Sequence, residues 1–155
     1  RDLMAHLAPE GDVYQAGTLS GNPIAMAAGL TTRRVLQRSD AWNKLEELGQ
    51  ELDKAMEPVV ERSPLPIRVV RSGSLFWLSL QEGPPPRSAE AIEPCAPDRY
   101  RPVFHALLDR GIYLAPSAFE VGFLSLVHTF QDLRRLSEAL EGALAEAARL
   151  TAERV

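Results

Sequence analysis

Cysteine and long apolar stretches are scarce in this chain of 155 residues. Cys95 is the single cysteine, so no internal disulfide can form, and we expect a reducing, cytoplasmic compartment. The longest apolar run, residues 24–30, is far shorter than the roughly 20 residues that span a bilayer. The start also lacks the basic, apolar and small-residue regions of a signal peptide. We therefore expect neither a membrane span nor a secreted, disulfide-bonded domain.

A surplus of positive charge is missing as well. The formal net charge is -4, and acidic and basic side chains are mixed along the chain. No basic face is present to attract nucleic acid, and no polybasic segment to attract a membrane. His6, His105 and His128 lack metal-ligand spacing with other histidines, cysteines or carboxylates. The composition predicts one ordinary core, with no nucleic-acid, membrane or metal partner.

Small and polar residues are concentrated in the loop that precedes the first helix, and this stretch is the most informative part of the sequence. Gly17 and Gly21 permit backbone torsions that are closed to other residues and let a ligand approach the main chain. The hydroxyls of Thr18 and Ser20 can donate to phosphate oxygens. The loop is therefore a candidate anion site.

The helix after this loop has a clear predicted start. Asn22 is a favoured N-cap residue and Pro23 a favoured first residue, so we expect a helix from there to about Arg38. Its small residues, at 25–29, predict burial against a large partner surface. Unpaired N–H groups in its first turn would suit a phosphate or carboxylate. A loop of this composition is, however, usually only a well-capped turn, and both common glycine-rich nucleotide motifs are absent.

Apolar periodicity predicts two further long helices. The first is expected after a cap at Asp40, and the last after Thr129, which has capping-box spacing to Asp132. The apolar positions of the first, which we expect to lie in the core, are Trp42, Leu45, Leu48, Leu52, Met56 and Val59. Those of the last are Leu133, Leu136, Leu140 and Leu144.

Shorter elements lie between these helices. Residues 67–70 and 75–80 predict a hairpin about Gly73, and residues 112–115 and 123–127 predict two more strands. A helix capped by Asp98 is expected to tolerate Pro102 in its first turn and to close at Gly111. Its expected apolar positions are Val103, Phe104, Leu107 and Leu108. Residues 81–97 are rich in proline and are predicted to form a loop. The predicted fold is α+β, a small antiparallel or mixed sheet covered by helices.

Two segments resemble one enzyme family. Residues 14–29 (YQAGTLSGNPIAMAAG) and residues 111–129 (GIYLAPSAFEVGFLSLVHT) resemble, in matching order, motifs of the glutamate-1-semialdehyde 2,1-aminomutases. This family of fold type I enzymes depends on pyridoxal 5'-phosphate (PLP) and is related to the class III aminotransferases. The resemblance implies conversion of glutamate-1-semialdehyde to 5-aminolevulinate for tetrapyrrole synthesis, with the pyridoxamine form of the cofactor in the cycle.

The resemblance also implies site residues. It places Gly17 and Thr18 at the cofactor phosphate of the neighbouring subunit, in a homodimer with shared active sites, and Tyr14 nearby. A buried structural tyrosine is an equal alternative for Tyr14. Glu120 is placed at the active site in a supporting catalytic role. From the residues alone, Glu120 is equally a surface-turn glutamate, although its apolar neighbours would demand a partner or a raised pKa. Ser117 is expected to hold the same turn, and His128 to support the site.

The lysine that such chemistry requires is missing. PLP enzymes use a lysine amine to form a Schiff base with the cofactor. Lys44 and Lys54, the only lysines, lie on a charged helix face outside any family lysine motif. Since the chain also begins with Arg1 in the middle of an element, we expect a fragment that is inactive alone. Residues 1–38 would end the large PLP-binding domain and its connecting helix, and residues 39–155 would form the small C-terminal domain.

Two other functions remain open. The chain could belong to another class III aminotransferase, which exchanges nitrogen between two substrates. It could also be a non-catalytic dimerisation or binding module, which the alanine- and glycine-rich surface of residues 24–30 favours.

Overall fold

A computed structural model describes residues 2–152. The chain divides into two compact units, residues 1–40 and residues 41–155. The first contains a 3-10 turn (Leu3–His6) and α1 (Pro23–Arg38); the second contains α2 (Ala41–Arg62), β1 (Arg68–Ser72), β2 (Leu75–Ser79), a 3-10 turn (Ala89–Ala91), α3 (Ala96–Asp109), β3 (Gly122–Phe123) and α4 (Phe130–Ala152). The predicted α+β class is confirmed. None of the helices in residues 2–152 has the length and apolar character needed to cross a bilayer.

The N-terminal unit is stabilised by local hydrogen bonds more than by a core. The Val13 amide donates to the His6 carbonyl at 2.9 Å, and the Ala8 amide donates to the Val13 carbonyl at 2.9 Å. The predicted helix runs to Arg38 as expected, but α1 buries none of its residues. Ile24, for example, is 81% exposed. The large surface expected to cover this helix is therefore not supplied by its own unit.

The core of the C-terminal unit lies among α2, α3, α4 and one face of the sheet. Every predicted apolar position of α4 is buried, and so is the stripe of α2 from Leu45 to Val59. Trp42 is 62% exposed, so its predicted place in the core is wrong. It lies in the first turn of α2, next to the fully buried Ala41.

The sheet has three antiparallel strands in the order β1-β2-β3. The predicted hairpin is confirmed: Val70 pairs with Trp77, and Gly73 occupies the turn with a φ of 59°. Phe76 and Leu78, each 5% exposed, face the helices, while Trp77 lies on the other side.

The remaining strand predictions are corrected. Residues 112–115 form no strand: the Ile112 amide donates back to the Leu107 carbonyl at the end of α3, and the Ala115 carbonyl accepts from the Tyr100 hydroxyl. The strand expected over residues 123–127 shrinks to β3. The Leu124 amide donates to the Ser74 carbonyl, and the chain then turns as the His128 amide donates to the Ser125 carbonyl.

The ends of α3 and α4 test the capping predictions. The capping box of α4 is confirmed, because the Thr129 amide donates to Asp132 Oδ2 at 2.7 Å. This bond lowers the pKa of the Asp132 carboxyl.

Asp98 does not cap α3, which begins two residues earlier at Ala96 and places Pro102 in the helix interior. Gly111 has the expected left-handed backbone, with a φ of 75°, but Leu108 is 43% exposed and lies outside the core.

An arginine links the hairpin to α2. Arg71, whose side chain is only 16% exposed, donates from Nε to Asp53 Oδ2 at 2.7 Å and from Nη2 to Glu46 Oε1 at 3.2 Å. A Cβ at Gly49 would lie 2.6 Å from the Arg71 guanidinium, so the glycine gives this side chain room against α2. The hydrogen bond from Arg71, followed by its charge, lowers the pKa of Glu46 from its usual 4.5.

We expect Arg71→Met to weaken the pH dependence of folding. A carboxyl whose pKa is lower in the folded state stabilises the fold above its unfolded pKa, near 4.5, and loses this contribution as the pH falls. The free-energy difference between wild type and Arg71→Met, from urea titrations, should therefore shrink between about pH 5 and pH 3. Arg134→Met, which removes an exposed partner of Glu138 3.8 Å away, is the control. A difference that stays constant with pH would contradict the prediction.

Candidate functional site

The glycine loop, residues 17–21, consists of two overlapping turns. The Ser20 amide donates to the Gly17 carbonyl at 2.9 Å, and the Asn22 amide donates to the Leu19 carbonyl at 3.1 Å. Gly21 has a φ of 76°, so a glycine is needed there as predicted. At Gly17 a Cβ would meet the Ser20 hydroxyl, which a rotation of the Ser20 side chain can move away, so the structure does not require a glycine there.

The donors for an anion lie in the loop and not at the helix start. Asn22 Oδ1 accepts hydrogen bonds from the amides of Ile24 and Ala25, at 3.0 and 3.1 Å. The predicted N-cap is thereby confirmed, but the idea that first-turn N–H groups are left free for a ligand is wrong. In the described chain, the amides of Thr18 and Leu19 and the Thr18 hydroxyl have no partner. These groups are exposed and can receive a phosphate.

Tyr14 precedes the loop and is 83% exposed. Its ring is not buried within the N-terminal unit. This unit therefore does not provide the core position that a structural tyrosine would occupy. Tyr14, Gly17 and Thr18 lie in the N-terminal unit, and Glu120 lies in the C-terminal unit.

Glu120 lies at the edge of a tightly bonded loop, residues 115–121, which we call the Glu120 loop. The Ser117 hydroxyl accepts from the Phe119 amide at 3.2 Å, and the Ser117 carbonyl accepts from the Glu120 amide at 3.2 Å. Ser117 therefore holds the turn as expected. The Glu120 side chain is exposed and Phe119 is 57% exposed, so the apolar frame predicted to bury this carboxylate is open.

Two aromatic side chains that the sequence did not single out bond to this loop. The Trp77 indole Nε1 donates to the Ala118 carbonyl at 2.7 Å, and the Tyr100 hydroxyl donates to the Ala115 carbonyl at 2.7 Å. Burial raises the pKa of Tyr100 to about 12, so this phenol remains a neutral donor at ordinary pH. No motif marks these residues; the available signal was that a buried tyrosine or tryptophan needs a partner for its polar atom.

A cleft of about 350 Å³ opens beside the same segment. Gly111 to Ala115, β3 and the start of α4 line it, and His128 and Arg135 contribute its basic groups. His128 Nδ1 accepts from the Ser125 amide at 2.9 Å, so this histidine fixes the turn before α4. Within residues 2–152 no group of three histidine, cysteine or acidic side chains could hold a metal ion.

Neither lysine resembles a reactive amine. Lys44 is exposed on α2, and Lys54 on the same helix pairs with Glu51 at 2.6 Å. A lysine used for covalent chemistry is usually desolvated or close to another cation, which lowers its pKa. Both lysines therefore fit the predicted role of solvated surface charges.

Comparison with known proteins identifies the relatives of this chain. Over 145 residues, 93% of the chain, it is 43% identical to a glutamate-1-semialdehyde 2,1-aminomutase from Thermus thermophilus. The chain is homologous to the aminomutases. It is also 40% identical over 142 residues to the aminomutase of Bdellovibrio bacteriovorus. The chain spans only about a third of these aminomutases, 34% and 33%, and no family model matches it.

Solved structures of transaminases share the fold of this chain. An omega-transaminase from Sphaerobacter thermophilus matches 94% of the chain with a TM-score of 0.67 and 29% identity. A beta-phenylalanine aminotransferase from Variovorax paradoxus matches 96% with a TM-score of 0.72 and 26% identity. The chain covers 34% of each of these two structures. A transaminase with PLP bound matches 98% of the chain with a TM-score of 0.68 and 21% identity, and the chain covers 34% of that structure. At this identity the match supports the fold alone.

Proposed function

We propose that this chain forms the C-terminal part of a PLP-dependent aminomutase that converts glutamate-1-semialdehyde to 5-aminolevulinate in tetrapyrrole synthesis. The observation that carries the proposal is 43% identity to an aminomutase across nearly the whole chain. The reactive lysine would lie in a part of the full-length protein outside this chain, because Lys44 and Lys54 are surface charges.

The glycine loop fits the phosphate of PLP. A phosphate needs several donors without other partners, and the free amides of the exposed residues Thr18 and Leu19 with the Thr18 hydroxyl form such a set. Gly17 begins the turn that carries these donors, because its carbonyl accepts from the Ser20 amide. In the proposed homodimer this loop would contact the cofactor of the neighbouring subunit, in a cytoplasmic enzyme with shared active sites.

Glu120 and Tyr14 would complete the contribution of this chain to the site. PLP, when bound, supplies an electron sink for carbanions formed on the substrate. The exposed Glu120 carboxylate would hold or accept a proton beside the substrate, and the exposed Tyr14 hydroxyl would donate a hydrogen bond near the cofactor.

We expect Thr18→Val in the full-length protein to weaken PLP retention by roughly tenfold, because one hydrogen bond to a charged oxygen is lost while the side-chain shape is kept. Equilibrium dialysis against PLP would measure this change. Thr32→Val is the matched control, because the Thr32 hydroxyl donates to the Ala28 carbonyl on exposed α1. Equal retention in wild type and Thr18→Val would remove Thr18 from the phosphate site.

An assay of the full-length protein tests the reaction itself. Turnover of glutamate-1-semialdehyde without any added amino acceptor is expected, because an aminomutase moves the amino group within one substrate. A second candidate, a class III aminotransferase, is favoured by the transaminases among the structural matches. A strict need for a second substrate would select that candidate and defeat the aminomutase proposal.

A further inference from the structure

We propose that Trp77 and Tyr100 are positioning residues, which fix the Glu120 loop so that its carboxylate is presented in one place. This inference rests on the proposed function, which assigns Glu120 to the active site. Neither aromatic side chain is expected to touch the substrate. Each would act through the backbone of the loop.

The two bonds come from different elements. Trp77 is on β2 and Tyr100 is on α3, and both donate at 2.7 Å to main-chain oxygens of the loop. The accepting residues, Ala115 and Ala118, both precede Glu120 in the chain. The loop is therefore tied to both the helical layer and the sheet before it reaches the carboxylate.

The far side of Glu120 is fixed as well. Gly122 pairs with Phe76 in the sheet, and the Phe76 ring occupies the space where a Cβ at Gly122 would stand. Ala118 is 6% exposed and anchors the middle of the loop in the core. The backbone is therefore held by contacts on both sides of Glu120.

Neither donor, the Tyr100 hydroxyl or the Trp77 indole N–H, loses its proton over the pH range in which enzymes work. Tyr100 is 6% exposed and its pKa is raised to about 12 by burial, so its hydroxyl keeps its proton through the working range of an enzyme. An indole N–H has no acceptor function and does not titrate, so Trp77 can only donate. Loss of either donor would leave a carbonyl of the loop without its partner.

Hydrogen exchange of the 155-residue chain tests the structural step. Trp77→Phe and Tyr100→Phe should each speed amide exchange of Phe119 and Glu120 by roughly fivefold, the effect of one lost hydrogen bond on local opening. The matched controls, Trp42→Phe and Tyr113→Phe, alter side chains that are 62% and 73% exposed and should leave these two amides unchanged. Unchanged exchange in both test variants would overturn the proposal.

A double-mutant cycle in the full-length enzyme tests the functional step. Trp77→Phe should lower kcat by roughly fivefold with little change in KM, but by less than about twofold in a Glu120→Gln background, because it acts through that carboxylate. Equal losses in both backgrounds would indicate a merely structural role and overturn the proposal. A wild-type enzyme without semialdehyde turnover would instead defeat the proposed function, and the exchange experiment would still decide whether the aromatic donors hold the loop.

Discussion

Leu140→Ala should lower the free energy of unfolding of the C-terminal unit by about 3 kcal/mol, the largest effect expected of the substitutions considered. Leu140 is 0% exposed and belongs to the core cluster that also contains the fully buried Leu52 and Leu107. Removal of its branched side chain loses apolar burial and leaves a cavity that the surrounding helices fill only in part.

Urea denaturation followed by circular dichroism would measure this change. Leu150→Ala on the same helix is the control, because Leu150 is 43% exposed and its loss should alter the free energy by less than about 0.5 kcal/mol. If the two substitutions proved equally mild, α4 would not pack as described.

Gly122→Ala should cost about 2 kcal/mol, since the added methyl group forces a buried ring to move. A Cβ at this position would overlap the Phe76 ring, which is 5% exposed and has little space to shift. The effect comes from the collision, because Gly122 is not among the glycines with a left-handed backbone.

The collision predicts that a smaller neighbour rescues the variant. In a Phe76→Leu background, Gly122→Ala should cost much less than in wild type, and the unfolding free energies of the four proteins give the coupling directly. Additive losses would mean that the two side chains do not compete for the same space.

Long amphipathic elements could be predicted from the sequence because burial on one helix face repeats every three to four residues. The periodicity identified the buried leucines of α2 and α4, but it also included Trp42 and, on α3, Leu108, which are exposed. A sequence pattern gives the side of a helix that is apolar. Whether another element covers a given turn of that side depends on where its neighbours begin and end.

The candidate site could likewise be predicted from the sequence only in part. Composition predicted the glycine loop and the Asn22 cap, yet only the structure shows that Asn22 occupies the amides of the first helical turn. The link from Trp77 to Ala118 joins residues 41 positions apart, and no local pattern encodes it. The strand expected over residues 112–115 does not form either, and the Ala115 carbonyl instead accepts from the Tyr100 hydroxyl, a contact that no local pattern encodes.

The bonds from Trp77 and Tyr100 end on peptide oxygens, which every amino acid carries. Pro116, the exposed position between the two anchors, can therefore be varied in an engineered library while both hydrogen bonds are kept. Redesign of the proposed site can then change the side chains next to Glu120 while the hydrogen bonds that support the loop are kept.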